Sequence, residues 1–321
     1  EQNVLQSIKD SLRAVTQIPA IIKQLASLNP QLVHINSYRV GIPFTLACKK
    51  LGIPSIWHFR DIPSASSKKK LLSHLAKLPT KSIAISNAVS QALNATHQHH
   101  LEVIYNGVTV EQFYNVTPGR FREEMNLPAD AVLFCTIGQI IPWKGHDFLI
   151  KAFAHLKSNP KYYLVIVGGN VSPVWEMPNS NRHFAQNLVN LVREYGLEEK
   201  VIFTGFRKDI PRILSDIDIY VHSATAPEPF GRVLIEAMAA KKPVVAPNWG
   251  GIPEIVADKV TGLLYRPKDL SSLTDSLEAI TMMQSNWQSM GEVGLHLVQE
   301  KFTAVQHISK MQQVIEQIIH K

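Results

Sequence analysis

A chain of 321 residues exceeds what one compact core ordinarily supports, so two domains of ordinary size are expected. Its hydrophobic fraction of 45% is that of soluble globular proteins, and no run reaches the roughly 18 apolar residues of a membrane-spanning helix. The formal charge of +7 favours anionic partners, but basic and aromatic residues are not interleaved as in a nucleic-acid-binding module, which sets nucleic acid aside.

Along the chain, strand and helix patterns alternate, which predicts an α/β architecture with parallel sheets. An amphipathic helix over 8–28, carrying Pro19, leads to a strand at 32–36. A helix at 42–50, strands at 55–59 and 82–86 and a helix at 88–93 follow, and residues 103–107 close the first half. Between them, residues 67–78 hold Lys68, Lys69 and Lys70 beside Leu71, Leu72, Leu75 and Leu78, a basic amphipathic helix. It suits peripheral contact with an anionic membrane surface and an ordinary lysine-rich outer face equally well. The polar stretch 115–130, with Pro118, Gly119 and Pro128, reads as the domain junction. The expected domains are 1–120, 121–300 and a terminal helix over 301–321 that carries Phe302, Val305, Ile308, Met311, Ile315, Ile318 and Ile319 on an apolar stripe.

The second half opens on the apolar run 131–137, ending in Gly138, and continues through a helix at 147–157, a strand at 162–167, a helix at 184–195 and a strand at 200–204. Its most informative stretch lies between Glu228 and Glu236. A strand over 217–222 breaks into a loop, and a helix starts near Gly231. Free N–H groups and the positive dipole end at such a start favour phosphate oxygens, and Gly231 lets the backbone come close. Glu228 sits before the helix and Glu236 about a turn and a half inside it, so the two carboxylates suit hydroxyls on different parts of one extended ligand. A glutamate in a first helical turn is also, more simply, a favourable charge near the dipole. A buried strand at 243–247 then leads to Gly250-Gly251-Ile252-Pro253-Glu254, a second strand-to-glycine-to-helix junction. In an open parallel sheet such junctions gather at the carboxyl ends of the strands, where ligands bind.

These blocks, together with Gly138-Gln139-Ile140-Ile141-Pro142-Trp143-Lys144-Gly145, Val165 to Gly169, Phe203-Thr204-Gly205-Phe206 and Thr261-Gly262-Leu263-Leu264, resemble the family 4 glycosyltransferases, retaining, nucleotide-sugar-dependent enzymes of the GT-B fold. The resemblance covers nearly everything from Ala131 onward, in the right order and spacing. It implies two Rossmann-like domains facing a cleft, with the terminal helix crossing back to the first. The family's opening strand and glycine-rich loop have no counterpart here, and the chain starts at Glu1 rather than Met, so the first domain is expected to lack its first βα units.

By the same resemblance, the donor is a UDP- or GDP-sugar, the acceptor a carbohydrate or a lipid-linked molecule, the setting surface polysaccharide or glycolipid synthesis, and no cofactor or obligatory metal is needed. Lys144 is the cation at the departing diphosphate, Glu228 holds sugar hydroxyls, Glu236 holds ribose hydroxyls, and backbone N–H groups from Phe230 through Gly231 and Arg232 to Val233 hold phosphates. A solvated lysine in a turn is the plainer reading of Lys144, but Gly138 and Gly145 around it favour the functional one. Gly205 and Phe206 stand where the family packs the nucleotide base, although apolar burial explains Phe206 as well.

The sequence departs from the family in two places: Gln139 replaces a second phosphate cation, usually arginine, and Lys241 replaces a small residue. In the first domain His58 and Arg60 share a face at a strand end, and either takes the place of the family's acceptor-side histidine. Asn106-Gly107 is similar to the family's interdomain turn.

The two cysteines, Cys48 and Cys135, lie in apolar stretches and read as buried thiols of a reducing, cytoplasmic compartment, with the basic helix leaving open a peripheral position at the inner membrane surface. The thirteen histidines show no metal spacing, His97, His99 and His100 forming a polar cluster more consistent with solvation. Two other classes compete with a transferase. A sugar-nucleotide-binding homologue of weak catalysis is suggested by Gln139 and the missing first units; a nicotinamide dehydrogenase is disfavoured, because no strand leads into Gly-x-Gly-x-x-Gly with a following acidic residue.

Overall fold

The computed structural model describes residues 16–63, 66–93, 101–114, 116–169 and 179–320; the histidine cluster at 97–100 lies outside them. The chain divides into two compact units, one of Glu1–Asn106 with Gln306–Lys321 and one of Gly107–Val305.

In the first unit, strands β1 (Val33–Ile35), β2 (Ser55–Phe59), β3 (Lys81–Ala84) and β4 (Leu101–Val103) form one parallel sheet in that order. Every residue of β2 is buried, as expected of a strand covered on both faces. Helix α1 (Ile18–Leu28) begins with Pro19 in its first turn, where a missing N–H costs nothing. It stops at Asn29, whose left-handed backbone returns an N–H to the Leu25 carbonyl at 2.9 Å. The proline therefore marks the start of this helix, and the expected residues before 16 fall outside the description. Helix α2 (Tyr38–Leu51) starts ahead of the predicted 42, α3 spans Ser66–Leu75, and α4 (Asn87–Ala92) is capped by Ser86, whose hydroxyl accepts from the Val89 N–H at 3.1 Å. In α3, Leu72 is buried but Leu71 is exposed, so the four leucines do not share one buried side.

Within the segment 103–107 that closes the first half, only Val103 is in a strand, β3 pairing with Leu101–Val103. The terminal helix (Ala304–Ile319) supplies Val314 to a cluster with Ile56, Ile83 and Ile104. Its apolar stripe is only partly used: Val305 and Ile308 face solvent.

The second unit holds a six-stranded sheet, all parallel, built from β5 (Val132–Ile137), β6 (Tyr162–Val167), β7 (Val201–Gly205), β8 (Ile219–Val221), β9 (Val244–Pro247) and β10 (Gly262–Tyr265) in the order β10-β9-β8-β5-β6-β7. The order reverses between β5 and β8, a topological switch point of the doubly wound kind. Helices α5 (Glu111–Tyr114) and α6 (Arg120–Glu124) precede the sheet, α7 (His146–Phe153), α8 (Asn179–Glu194), α9 (Ile210–Asp216) and α10 (Arg232–Ala239) connect its strands, and α11 (Leu270–Met282) and α12 (Trp287–Lys301) follow β10. The core runs through Phe134, Phe153, Ile166 and Leu277, with Phe134 edge-on to Phe153 and Tyr162 at 5.7 Å.

The unit boundary at Asn106/Gly107 precedes the polar stretch 115–130 because that stretch is already bound into the second unit. The Asp216 carboxylate accepts the backbone N–H groups of Gly119, Phe121 and Arg122, and Arg122 donates to Asp218 at 2.7 Å. Likewise, Val108 and Thr303 form a bridge, with the Val108 N–H on the Phe302 carbonyl at 2.9 Å. The helix expected after Gly250 is only one 3-10 turn, Ile252–Glu254, containing Pro253.

Candidate functional site

The site is assembled from loops at the carboxyl ends of β8, β5, β6 and β7. The loop after β5 turns through Gly138 and Gln139 into a 3-10 turn, Pro142–Lys144, and then α7. The loop after β8 carries His222 to Gly231 into α10. The two loops are laced together: the Ser223 hydroxyl donates to the Lys144 carbonyl at 3.0 Å, and the Thr225 N–H to the Trp143 carbonyl at 2.8 Å. Buried His146 holds the Gln139 carbonyl through Nε2 at 2.9 Å. Farther along the edge, the Gly138 N–H reaches the Val167 carbonyl and the Gly168 N–H the Gly205 carbonyl, which places Gly138, Gly168 and Gly205 side by side.

Lys144 and Glu228, 84 residues apart in sequence, meet at the switch point: Lys144 Nζ donates to Glu228 Oε2 at 2.7 Å. His222 Nε2 lies 3.0 Å from the same oxygen, and the Tyr220 hydroxyl faces His222 Nδ1 at 3.4 Å. The Lys144 ammonium also sits 4.1 Å above the Trp143 ring. Burial pushes the Glu228 carboxyl up, but the hydrogen bond and charge of His222, joined by Lys144, outweigh it and hold the group at about 2. Glu228 is therefore a buried, ionised acceptor, with no protein partner on Oε1 among the described residues.

Two glycines fix this arrangement. Gly250 has φ +60, and a Cβ there would stand 2.3 Å from the Glu228 carbonyl oxygen, which the Gly251 N–H binds at 2.8 Å. Thus the loop after β9 buttresses the loop after β8, and the glycine pair read as a helix start is a backbone prop for Glu228. Gly231 has φ +100 and caps α10 with no side chain. Leu234 N–H turns back to the Gly231 carbonyl at 2.9 Å, while the Arg232 and Val233 N–H groups have no protein acceptor among the described residues. Phe230 is buried edge-on to Phe302 at 5.8 Å.

Glu236 is buried at 7% exposure, and its Oε1 accepts from Arg232 Nε at 2.8 Å while the arginine side chain stays largely in solvent. Gly205 and Phe206 lie at the end of β7, where Phe206 is half exposed, so core packing does not account for it. Gln139 is exposed, and Lys241 stands in the turn after α10 with φ +59, pairing with Glu292 at 2.9 Å.

His58 and Arg60 belong to the first unit. His58 is fully buried in β2, stacked on His34 at 5.6 Å and facing His307 at 6.3 Å, with neither ring nitrogen hydrogen-bonded. Burial first, then the charges of Arg60, His34 and His307, lowers it to about 3, so the ring is neutral. Arg60 reaches Asn36 and, at 3.5 Å, Asn106.

His222, which directly follows β8, is a site residue absent from the sequence-based expectations. The signal was a polar residue directly after the apolar Ile219-Tyr220-Val221 and beside the Glu228 loop. Among the described residues no group of three or more His, Cys, Asp or Glu could hold a metal ion, and no helix is long and apolar enough to cross a membrane. Cys48 and Cys135 are buried free thiols, and burial raises both.

A family model described as glycosyl transferases group 1 matches residues 119–294, and one described as glycosyltransferase family 4 matches residues 2–112. A D-inositol 3-phosphate glycosyltransferase of Frankia alni is 30% identical over 200 residues, covering 59% of this chain and 46% of that protein. An N-acetyl-alpha-D-glucosaminyl L-malate synthase of Bacillus anthracis is 22% identical, covering 84% of this chain and 69% of its own. Among solved structures, Anabaena HepE in complex with UDP and glucose superposes with a TM-score of 0.82 at 26% identity, covering 93% of this chain and 81% of that one. The chain spans under half the length of the Frankia alni relative it matches.

Proposed function

The chain belongs to the glycosyl transferases of group 1, and from that premise we propose that it moves a sugar from a nucleotide diphosphate sugar to an acceptor. The observation that carries this reading is the Lys144–Glu228 pair at the switch point, a buried carboxylate and a cation beside a helix start with unspent N–H groups. A departing diphosphate needs fixed positive charge where its own negative charge develops. Lys144 and the Arg232 and Val233 amides supply it. Glu228 presents Oε1 to sugar hydroxyls, Glu236 accepts from the ribose, and Phe206, already exposed, takes the face of the base.

The UDP and glucose bound to Anabaena HepE support a UDP-sugar over a GDP-sugar. Transfer proceeds with retention, the acceptor attacking from the face that the diphosphate leaves, and the acceptor is a carbohydrate or lipid-linked molecule of surface polysaccharide or glycolipid synthesis. On the acceptor side Arg60 is favoured over His58, whose ring is wholly buried. The basic helix α3 gives peripheral contact with an anionic membrane.

The test is transfer by the full-length protein from a panel of UDP- and GDP-sugars, with product anomeric configuration read by NMR. Turnover of a UDP-sugar with retention is expected. Binding of none of the panel sinks the reading, and tight binding without turnover replaces it with a sugar-nucleotide-binding role, which the missing cation at Gln139 would then explain.

A further inference from the structure

We infer that His222 is a positioning residue: it keeps the Glu228 carboxylate fixed and ionised while Lys144 exchanges Glu228 for the donor diphosphate. The inference rests on the transferase reading above and adds a partner exchange to it. One oxygen, Glu228 Oε2, receives both Lys144 Nζ at 2.7 Å and His222 Nε2 at 3.0 Å. A lysine already paired to a buried carboxylate cannot turn to a diphosphate without uncovering that carboxylate. An uncompensated buried charge would draw it back or take up a proton.

His222 removes the conflict. Its ring is held from behind by the Tyr220 hydroxyl at Nδ1, 3.4 Å away, which leaves Nε2 as the nitrogen turned to Glu228. Its backbone is pinned on both sides: the N–H donates to the Val245 carbonyl at 2.8 Å, and its carbonyl accepts from the Tyr265 hydroxyl at 3.2 Å. Tyr220 is itself fully buried. Burial, with Cys135, Glu228 and Glu236 nearby, pushes its hydroxyl well above the ordinary range, so it stays a donor. Of the other titratable groups here, His146 faces Lys144 and His222 from α7. None of these groups besides His222 and Lys144 hydrogen-bonds the Glu228 carboxylate among the described residues.

Two readouts separate this role from mere packing. The first is the carboxyl ¹³C NMR titration of glutamate-labelled protein without ligand, with Glu228 identified by the signal lost in Glu228→Gln. The second is calorimetric titration with UDP in buffers of different ionisation heat, which counts protons taken up on binding. In His222→Phe the Glu228 signal is expected to titrate at a proton concentration at least about tenfold lower than in the parent, and UDP binding at mildly acidic pH is expected to take up a proton that the parent does not. His222→Gln, which still offers an N–H, restores both in part. Where His222→Phe does not fold, Tyr220→Phe removes only the hydroxyl and is expected to move the titration in the same direction by less. An unchanged Glu228 titration in folded His222→Phe or Tyr220→Phe overturns the inference and leaves the transferase reading standing. Failure of the parent to bind UDP or any UDP-sugar overturns the reading beneath it, a different result in a different protein.

Discussion

Each unit buries a histidine at a sheet, and the two are treated in opposite ways. His58 in the first unit is stacked between two other imidazoles with both nitrogens unbonded, whereas His222 in the second has Tyr220 on one nitrogen and Glu228 on the other. Burial is nearly the same; hydrogen bonding is not. An unpartnered buried ring can only lose its proton, while a partnered one transmits the position of its neighbours. The second unit thus places its polar groups in a closed chain at the switch point, and the first stores a liability.

The largest expected effect tests the partnered site. Lys144→Ala should lower turnover by about 10²–10³, since it removes the fixed cation from the leaving group. If His222 alone holds the carboxylate, the thermal midpoint of the variant at pH 7 should change little. A variant that loses both activity and fold would show that the ion pair is structural and would weaken the contrast.

Acidification addresses the two units in different pH windows. His58 is lowered to about 3 in the folded chain, so below its unfolded value of 6.5 the unfolded state binds the extra proton and stability falls as pH drops toward 3. At pH 5 the loss amounts to about 2 kcal/mol. Glu228 is lowered to about 2 from 4.5, so its contribution is complete above 4.5 and is lost between there and 2. Replacing His58 by Leu should therefore flatten the fall in stability between pH 7 and pH 5, measured by denaturant unfolding, and leave the steeper loss below 4.5 in place. An unaltered slope from 7 to 5 would mean that the ring is hydrated or bonded in solution.

A smaller gain is expected from Gln139→Arg, which adds a second cation to an exposed position in the Lys144 loop. UDP affinity should rise about threefold to tenfold at low ionic strength and lose that advantage in high salt. No gain would place residue 139 away from the phosphates.

The sequence alone determined the alternation of strand and helix, and hence two parallel sheets, because buried parallel strands must be apolar throughout and their crossovers amphipathic. It also put Lys144, Glu228 and Gly231 at strand-to-helix junctions, since glycine punctuates such turns, while the roles of Lys144 and Glu228 came from the family resemblance rather than from residue type. Element limits were less legible. Pro19 reads as an interruption until the chain is seen to start a helix there, and the helix proposed after Gly250 shrank to one turn because that segment is committed to supporting Glu228. Only the tertiary structure decided what meets what. The order β10-β9-β8-β5-β6-β7 brings residues 144 and 228 within a hydrogen bond, and neither periodicity nor spacing along the chain encodes that reversal. The same holds for His222 and His58: their residue type is written in the sequence, but whether a buried imidazole is a strut or an orphan depends on the atoms that folding sets against its two nitrogens.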